Sequence, residues 1–207
     1  MKKQKIIVFD FDGTLTASDA NAEFLKYCFR HSIRPWLFLP VMAFALFLKN
    51  FENHNDKLSA GKSARRWREL LRRFITRDLI ERLKPGFIKE FKKFRFDWAK
   101  QTVADEHSAS DVQVILLSAG MDYLIPQLVD DMDFDWIITS KTNPRRPWKF
   151  EGFCYGKNKV VALNEWGHEN KIIPLVVRSY ADSESDKFLM AIAEQKIWID
   201  SKTGKRK

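Results

Sequence analysis

Apolar residues recur along this chain in two spacings, and each predicts a different element. Predominantly apolar runs at 6–9, 112–117, 136–139, 175–180 and 197–199 have the length of strands buried on both faces; Ile6-Ile7-Val8-Phe9 and Val112-Gln113-Val114-Ile115-Leu116-Leu117 are the clearest. The stretches between them carry helical patterns. Strands alternating with helices predict an α/β fold with a Rossmann-like parallel sheet. One interval breaks the alternation: residues 17–111 far exceed the single crossover helix that joins two parallel strands. A helical cap inserted after the first strand accounts for the excess, dividing the chain into a core domain of residues 1–16 and 106–207 and a cap domain of residues 17–105.

Within the cap, Ser18 is placed to cap a helix running to Arg30, and Ser63 to cap another with an apolar stripe of Ala64, Trp67, Leu70, Leu71 and Phe74. Arg65, Arg66, Arg68, Arg72 and Arg73 line the opposite face of that second helix. A further helix presents Phe87, Phe91 and Phe94 beside Lys89, Lys92, Lys93 and Arg95, so both helices are amphipathic and basic.

The first strand ends in Asp10-Phe11-Asp12-Gly13-Thr14-Leu15-Thr16. A strand alternates its side chains, so Asp10 and Asp12 would share a face if it continued, and like charges that close require a cation or a shared proton. Asp and Gly are also ordinary turn residues, so this segment alone fits either a polar turn or a catalytic pair.

The D-x-D-G-T pattern after an apolar strand resembles the first motif of haloacid dehalogenase superfamily phosphohydrolases, and three more pieces follow in that family's order. The strand 112–117 runs into Ser118-Ala119-Gly120, similar to the second motif, where a hydroxyl binds phosphate. Gly156-Lys157-Asn158-Lys159-Val160 resembles the third motif, a lysine at a helix start; the G-x-x-K-V spacing favours Lys159, with Lys157 as the alternative. The strand near 175–180 leads to Ala181-Asp182-Ser183-Glu184-Ser185-Asp186, similar to the metal-binding fourth motif.

The resemblance implies a phosphomonoester hydrolase working through an aspartyl-phosphate, in which Asp10 attacks phosphorus and Asp12 moves protons to the leaving alcohol and from water. It implies Mg2+ held by Asp10, Asp182, the backbone carbonyl of Asp12, and Asp186 directly or through water. Ser118, Lys159, Thr14 and the backbone around Gly13 and Ala119 would hold the phosphoryl oxygens. The acid at position 12 points to phosphatases within the superfamily, because the dehalogenase branch lacks one there and the ion-pumping ATPases carry threonine.

Composition narrows the surroundings. A 207-residue chain that is 45% apolar is globular, not disordered. Its net charge is +9 and its pI about 9.5; residues 19–105 hold 19 Lys and Arg against 10 Asp and Glu, while the rest has 17 of each. The cap thus carries the whole surplus, which attracts anionic partners or merely solvates a surface. Residues 35–48, beginning Pro35-Trp36-Leu37-Phe38-Leu39-Pro40, are apolar on every side and flanked by Arg30, Arg34 and Lys49. That run is too short for a bilayer, which takes about 20 apolar residues. It suits docking in one leaflet beside basic helices, or packing as a buried cap hairpin or dimer contact.

The segment resembles the cap of the phosphoserine-phosphatase-like subgroup, and within it the bacterial phosphatidylglycerophosphate phosphatases, whose caps carry a proline-containing apolar stretch followed by basic helices. A lipid phosphate, handled by a cytoplasmic enzyme peripheral on the inner face of the cell membrane, is therefore expected. A soluble phosphoserine-like enzyme is the alternative, although Asp19 stands where the phosphoserine enzyme has its substrate-reading glutamate. A polynucleotide phosphatase comes third, since no nucleic-acid-binding motif is present.

Cys28 and Cys154 lie far apart without metal spacing, as expected for reduced thiols, and His31, His54, His107 and His168 form no cluster. The apolar run after Met1-Lys2-Lys3 stops at Asp10, too early for an export signal. Residues 141–150, with Pro144 and Pro147, read as an irregular loop or hairpin near the site, and the Lys-rich end from Lys202 as a loose tail.

Overall fold

The computed structural model describes residues 1–32, 76–108 and 111–207. A six-stranded sheet, ordered β4-β3-β2-β1-β5-β6, carries the fold. Strand β1 (Lys2–Phe9) lies inside it, parallel to β2 (Val112–Met121) on one side and β5 (Ile172–Ala181) on the other. Next to β2 lies β3 (Trp136–Asn143), also parallel, and β6 (Gln195–Trp198) extends β5 in the same direction. Among the described residues the one antiparallel strand is β4 (Arg146–Gly152), which makes a hairpin with β3.

The apolar strand runs are continuous because both faces are covered. On β1, Ile7 and Phe9 join one cluster with Phe24, Phe87, Phe91 and Val103, while Ile6 and Val8 join another with Leu163, Trp166 and Leu189. Strand β2 splits likewise, Val114 and Leu116 to the first cluster and Ile115 and Leu117 to the second. Helices α1 (Ala20–His31), α2 (Arg77–Phe91) and α3 (Ala99–His107) supply the first cover; α5 (Lys157–Glu169) and α6 (Lys187–Ile192) supply the other. A one-turn helix, α4 (Ile125–Leu128), follows β2.

The expected α/β sheet with helices between its strands is present. Helix α1 packs on α2, and α3 packs on β2. The α3–sheet contact is pinned where Glu106 accepts from Arg178 Nη1 and from Tyr180 Oη, the latter at 2.5 Å. The basic helix of Phe87 and Phe91 is α2; Phe94 falls beyond its end, in a 3-10 turn over Lys92–Phe94. The apolar segment 35–48 and the arginine-rich helix expected after Ser63 lie outside the described residues. Among the described residues, no helix is long and apolar enough to cross a membrane.

Three local expectations are corrected. The cap of α1 is Asp19, which accepts from Ala22 N at 2.7 Å, while Ser18 Oγ is drawn off to Glu23 Oε1 at 3.0 Å. The expected third strand run stops at 139, but β3 continues through polar Ser140 to Asn143, because Ser140 and Thr142 point inward and find partners in Ala119 O and Asp122. The C-terminal residues are no loose tail: Ile199 bridges to Arg206, Asp200 Oδ1 accepts from Lys202 N and Thr203 N, and Lys207 N donates to Trp198 O.

Candidate active site

In an open parallel sheet, ligands collect outside the carboxyl ends of the strands. Asp10 stands directly after β1, Ser118 and Ala119 fall near the end of β2, and Asp182 follows β5. Asp10 N donates to Tyr180 O at 3.0 Å, which carries the β1–β5 pairing up to the carboxyl edge of the sheet. Beyond it the chain turns tightly: Thr14 N and Leu15 N both donate to Phe11 O, and Gly13 takes a φ of +81°. The buried Thr14 donates through Oγ1 to Asp10 Oδ2 at 3.2 Å.

Asp12 is oriented differently. Its Oδ1 accepts from Ala20 N at 2.7 Å, at the N-terminus of α1, where the helix dipole favours an anion. Burial, together with the neighbouring Asp19 carboxylate, nevertheless raises its pKa well above the usual carboxylate value.

Lys159 lies in the first turn of α5, a position the helix dipole opposes for a cation. Its side chain is 2% exposed, and Nζ stands 2.6 Å from Asp10 Oδ1 and 2.5 Å from Asp186 Oδ1. Burial works against its charge, but the two carboxylates more than offset that and hold its pKa above the ordinary lysine range. Burial in turn raises the pKa of Asp10, with Lys159 pulling the other way. Lys157 is exposed; of the two candidate lysines, Lys159 is the one beside Asp10.

Carboxylate oxygens of Asp10, Asp182 and Asp186 lie within 4.8 Å of one another. One lysine does not balance three clustered acids, and the Asp182 pKa is raised by burial and by Asp186. A hard, all-oxygen donor set with uncompensated negative charge fits a magnesium ion. The Asp12 carboxylate, engaged with Ala20, is not one of the three, which leaves its backbone carbonyl as its available donor.

A cavity of about 380 Å³ opens over these groups, lined by Asp10, Asp12, Gly13, Ala119, Lys159, Asp182 and Asp186 among others. Ser118 is fully buried beneath it; its Oγ accepts from Gly120 N at 2.9 Å, leaving its O–H to donate. Several lining residues escaped the sequence reading. Ser183 and Ser185 sit inside the fourth motif and were recognisable by adjacency. Tyr155 precedes the third motif, and Ser201 comes from the folded-back C-terminal segment, where Lys207 Nζ also donates to Asp182 O at 3.1 Å. No local pattern marks Ser201, because its place depends on contacts between distant parts of the chain.

Fold and site define an α/β protein that gathers three carboxylates and a buried lysine at the carboxyl edge of a mostly parallel sheet. The model of the haloacid dehalogenase-like hydrolases matches residues 7–191, and the chain belongs to that family. Among solved structures, a protein of unknown function from Bordetella pertussis Tohama I superposes with a TM-score of 0.73 at 15% identity, over 96% of this chain and 91% of that one. Phosphoserine phosphatase in its apo form gives 0.59 at 18% identity, over 94% and 85%. A phospho-aspartyl intermediate analogue of phosphoserine phosphatase gives 0.56 at 18% identity, over 96% and 87%. At these identities the likeness is one of fold. No curated protein matches the sequence.

Proposed function

We propose that this hydrolase cleaves phosphomonoesters through an aspartyl-phosphate on Asp10, with magnesium as cofactor. The carrying observation is the buried contact of Lys159 with both Asp10 and Asp186, which keeps a fixed positive charge beside the attacking carboxylate. Asp10 Oδ1 or Oδ2 attacks phosphorus as the ester oxygen leaves. Asp12, whose raised pKa favours the protonated form, donates its proton to that oxygen and then takes one from the water that opens the acyl phosphate. Lys159, Thr14, Ser118 and backbone N–H groups around Gly13 and Ala119 hold the phosphoryl oxygens. Asp10, Asp182, Asp186 and the Asp12 carbonyl would hold magnesium, which would supply further positive charge for those oxygens. The solved aspartyl-phosphate analogue on a similar fold supports this chemistry.

For the substrate we propose a lipid phosphate such as phosphatidylglycerophosphate, whose lipid alcohol is the leaving group, on an enzyme peripheral to the inner membrane face. The apolar segment 35–48 and the basic surplus of residues 19–105 support that reading; the phosphoserine-phosphatase fold supports the soluble alternative. The test is phosphate release from phosphatidylglycerophosphate in mixed micelles and from phosphoserine, with and without EDTA, with Asp10→Asn as the blank. Magnesium-dependent release with lipid preference is expected. Preference for phosphoserine would overturn the lipid assignment, and release by Asp10→Asn would overturn the mechanism.

A further inference from the structure

Most residues that line the cavity carry a charge or a hydroxyl. Its carboxylates, Lys159 and serines are joined by the small Ala17 and Ala119, and Tyr155 contributes the one large ring among the described residues. Tyr155 is 50% exposed and begins an aromatic ladder: its ring stacks on Phe153 with centroids 5.5 Å apart and planes 22° apart, and Phe153 packs on Phe150 at 5.1 Å. Phe153 is itself 40% exposed. Exposed aromatics that adjoin one another and a reactive cavity mark a ligand surface more often than isolated ones do.

The ladder is built rather than incidental. Between its two exposed rings, Cys154 points into the core, and its N–H donates to Ser140 Oγ at 2.9 Å, which itself donates to Ala119 O at 2.9 Å. Asn158 Nδ2 and Tyr155 N both donate to Phe153 O, at 3.2 and 3.1 Å, and Asn158 N to Tyr155 O at 3.1 Å. The short link from β4 to α5 is thereby tied to Ala119 on one side and to the helix of Lys159 on the other, which sets the rings at a fixed distance from the phosphate-handling groups.

From this geometry we infer that Tyr155, backed by Phe153, is a specificity-determining residue that receives the apolar body of the substrate's leaving group. The inference rests on the phosphatase reading. It is tested with full-length protein on 1-naphthyl phosphate, dihexanoyl phosphatidic acid and glycerol 3-phosphate. Tyr155→Ala raises KM about five- to tenfold for esters with an apolar body, the size of one aromatic contact. It leaves kcat, and the KM for glycerol 3-phosphate, unchanged; Tyr155→Phe behaves as the parent. A KM rise on the naphthyl ester alone assigns a planar leaving group, and a rise on both assigns an aliphatic one as well. Equal changes on all three esters, or none, overturn the inference.

Binding of 1-naphthyl phosphate to Asp10→Asn, followed by ligand fluorescence, gives a readout without turnover. Folded parent protein that binds this ester through Tyr155 but hydrolyses nothing refutes the phosphatase reading alone. Hydrolysis with binding indifferent to Tyr155→Ala refutes the aromatic lip alone.

Discussion

Gly13 and Asp182, from opposite ends of the chain, approach so closely that a Cβ on Gly13 would lie 2.4 Å from Asp182 Oδ2. The φ of +81° at Gly13 adds a second reason for glycine, because side chains are strained in that region. Gly13→Ala therefore displaces either the turn or the Asp182 carboxylate. A displacement near 1 Å at a reacting centre costs on the order of 100-fold in rate, so kcat/KM should fall by about that much while the magnesium concentration for half-activity rises. Parent values for both would show that the turn yields without moving Asp182.

Lys159 bridges two buried carboxylates, Asp10 and Asp186, and offsets their mutual repulsion. Removing one member of a buried ion pair leaves uncompensated charge and costs about 3–5 kcal/mol, which for a chain of this size lowers Tm by about 6–20 °C. Lys159→Met should show that drop in calorimetry, lose activity, and recover part of its Tm when magnesium is added, since the cation replaces some of the missing charge. The parent Tm in the variant would mean that the pair contributes nothing to folding.

Arg95 ties the turn after α2 to the end of α4 and the residues just beyond it in the β2–β3 connection, donating to Asp131 Oδ2 at 2.8 Å, Asp131 Oδ1 at 2.9 Å and Leu128 O at 2.6 Å. Its hydrogen bonds and charge hold the Asp131 pKa down to about 2. A depressed carboxylate stabilises the fold above its unfolded pKa, and that stabilisation is lost as pH falls from about 4 through about 2. Asp131→Asn should lower Tm at pH 7, and its deficit should shrink as pH drops through that window. A deficit constant with pH would show that the charge is not responsible. Arg95→Ala should cost about 1–3 kcal/mol at neutral pH, measured by urea unfolding.

Cys28 and Cys154 are both buried, and burial pushes each thiol up to about 12. Since the thiolate is the reactive form, neither should react with a disulfide reagent at pH 8 until denaturant is added, after which two equivalents should titrate. Fast labelling of either in the native state would contradict the packing of its surroundings.

The sequence by itself determined the main strands and which acids, serine and lysine lie at their ends or at a helix start. Continuous apolar runs mark strands covered on both faces, and Asp10, Ser118 and Asp182 follow such runs, so their common edge was legible from alternation alone. Tertiary structure decided what those positions do to one another. Two lysines lie two residues apart at the start of α5, and only the helix's rotation against the sheet buries Lys159 between Asp10 and Asp186 and leaves Lys157 in solvent. Ser18 and Asp19 are equally good caps locally; Glu23 claims the serine. The residues from Lys202 onward read as a tail because none of them is apolar, yet Ile199 and Trp198 bond back to Arg206 and Lys207 beside Asp182. Periodicity reports how a residue meets its own element and the layer beneath, whereas the partners of a buried charge come from other strands and loops, whose approach is set by packing of the whole core.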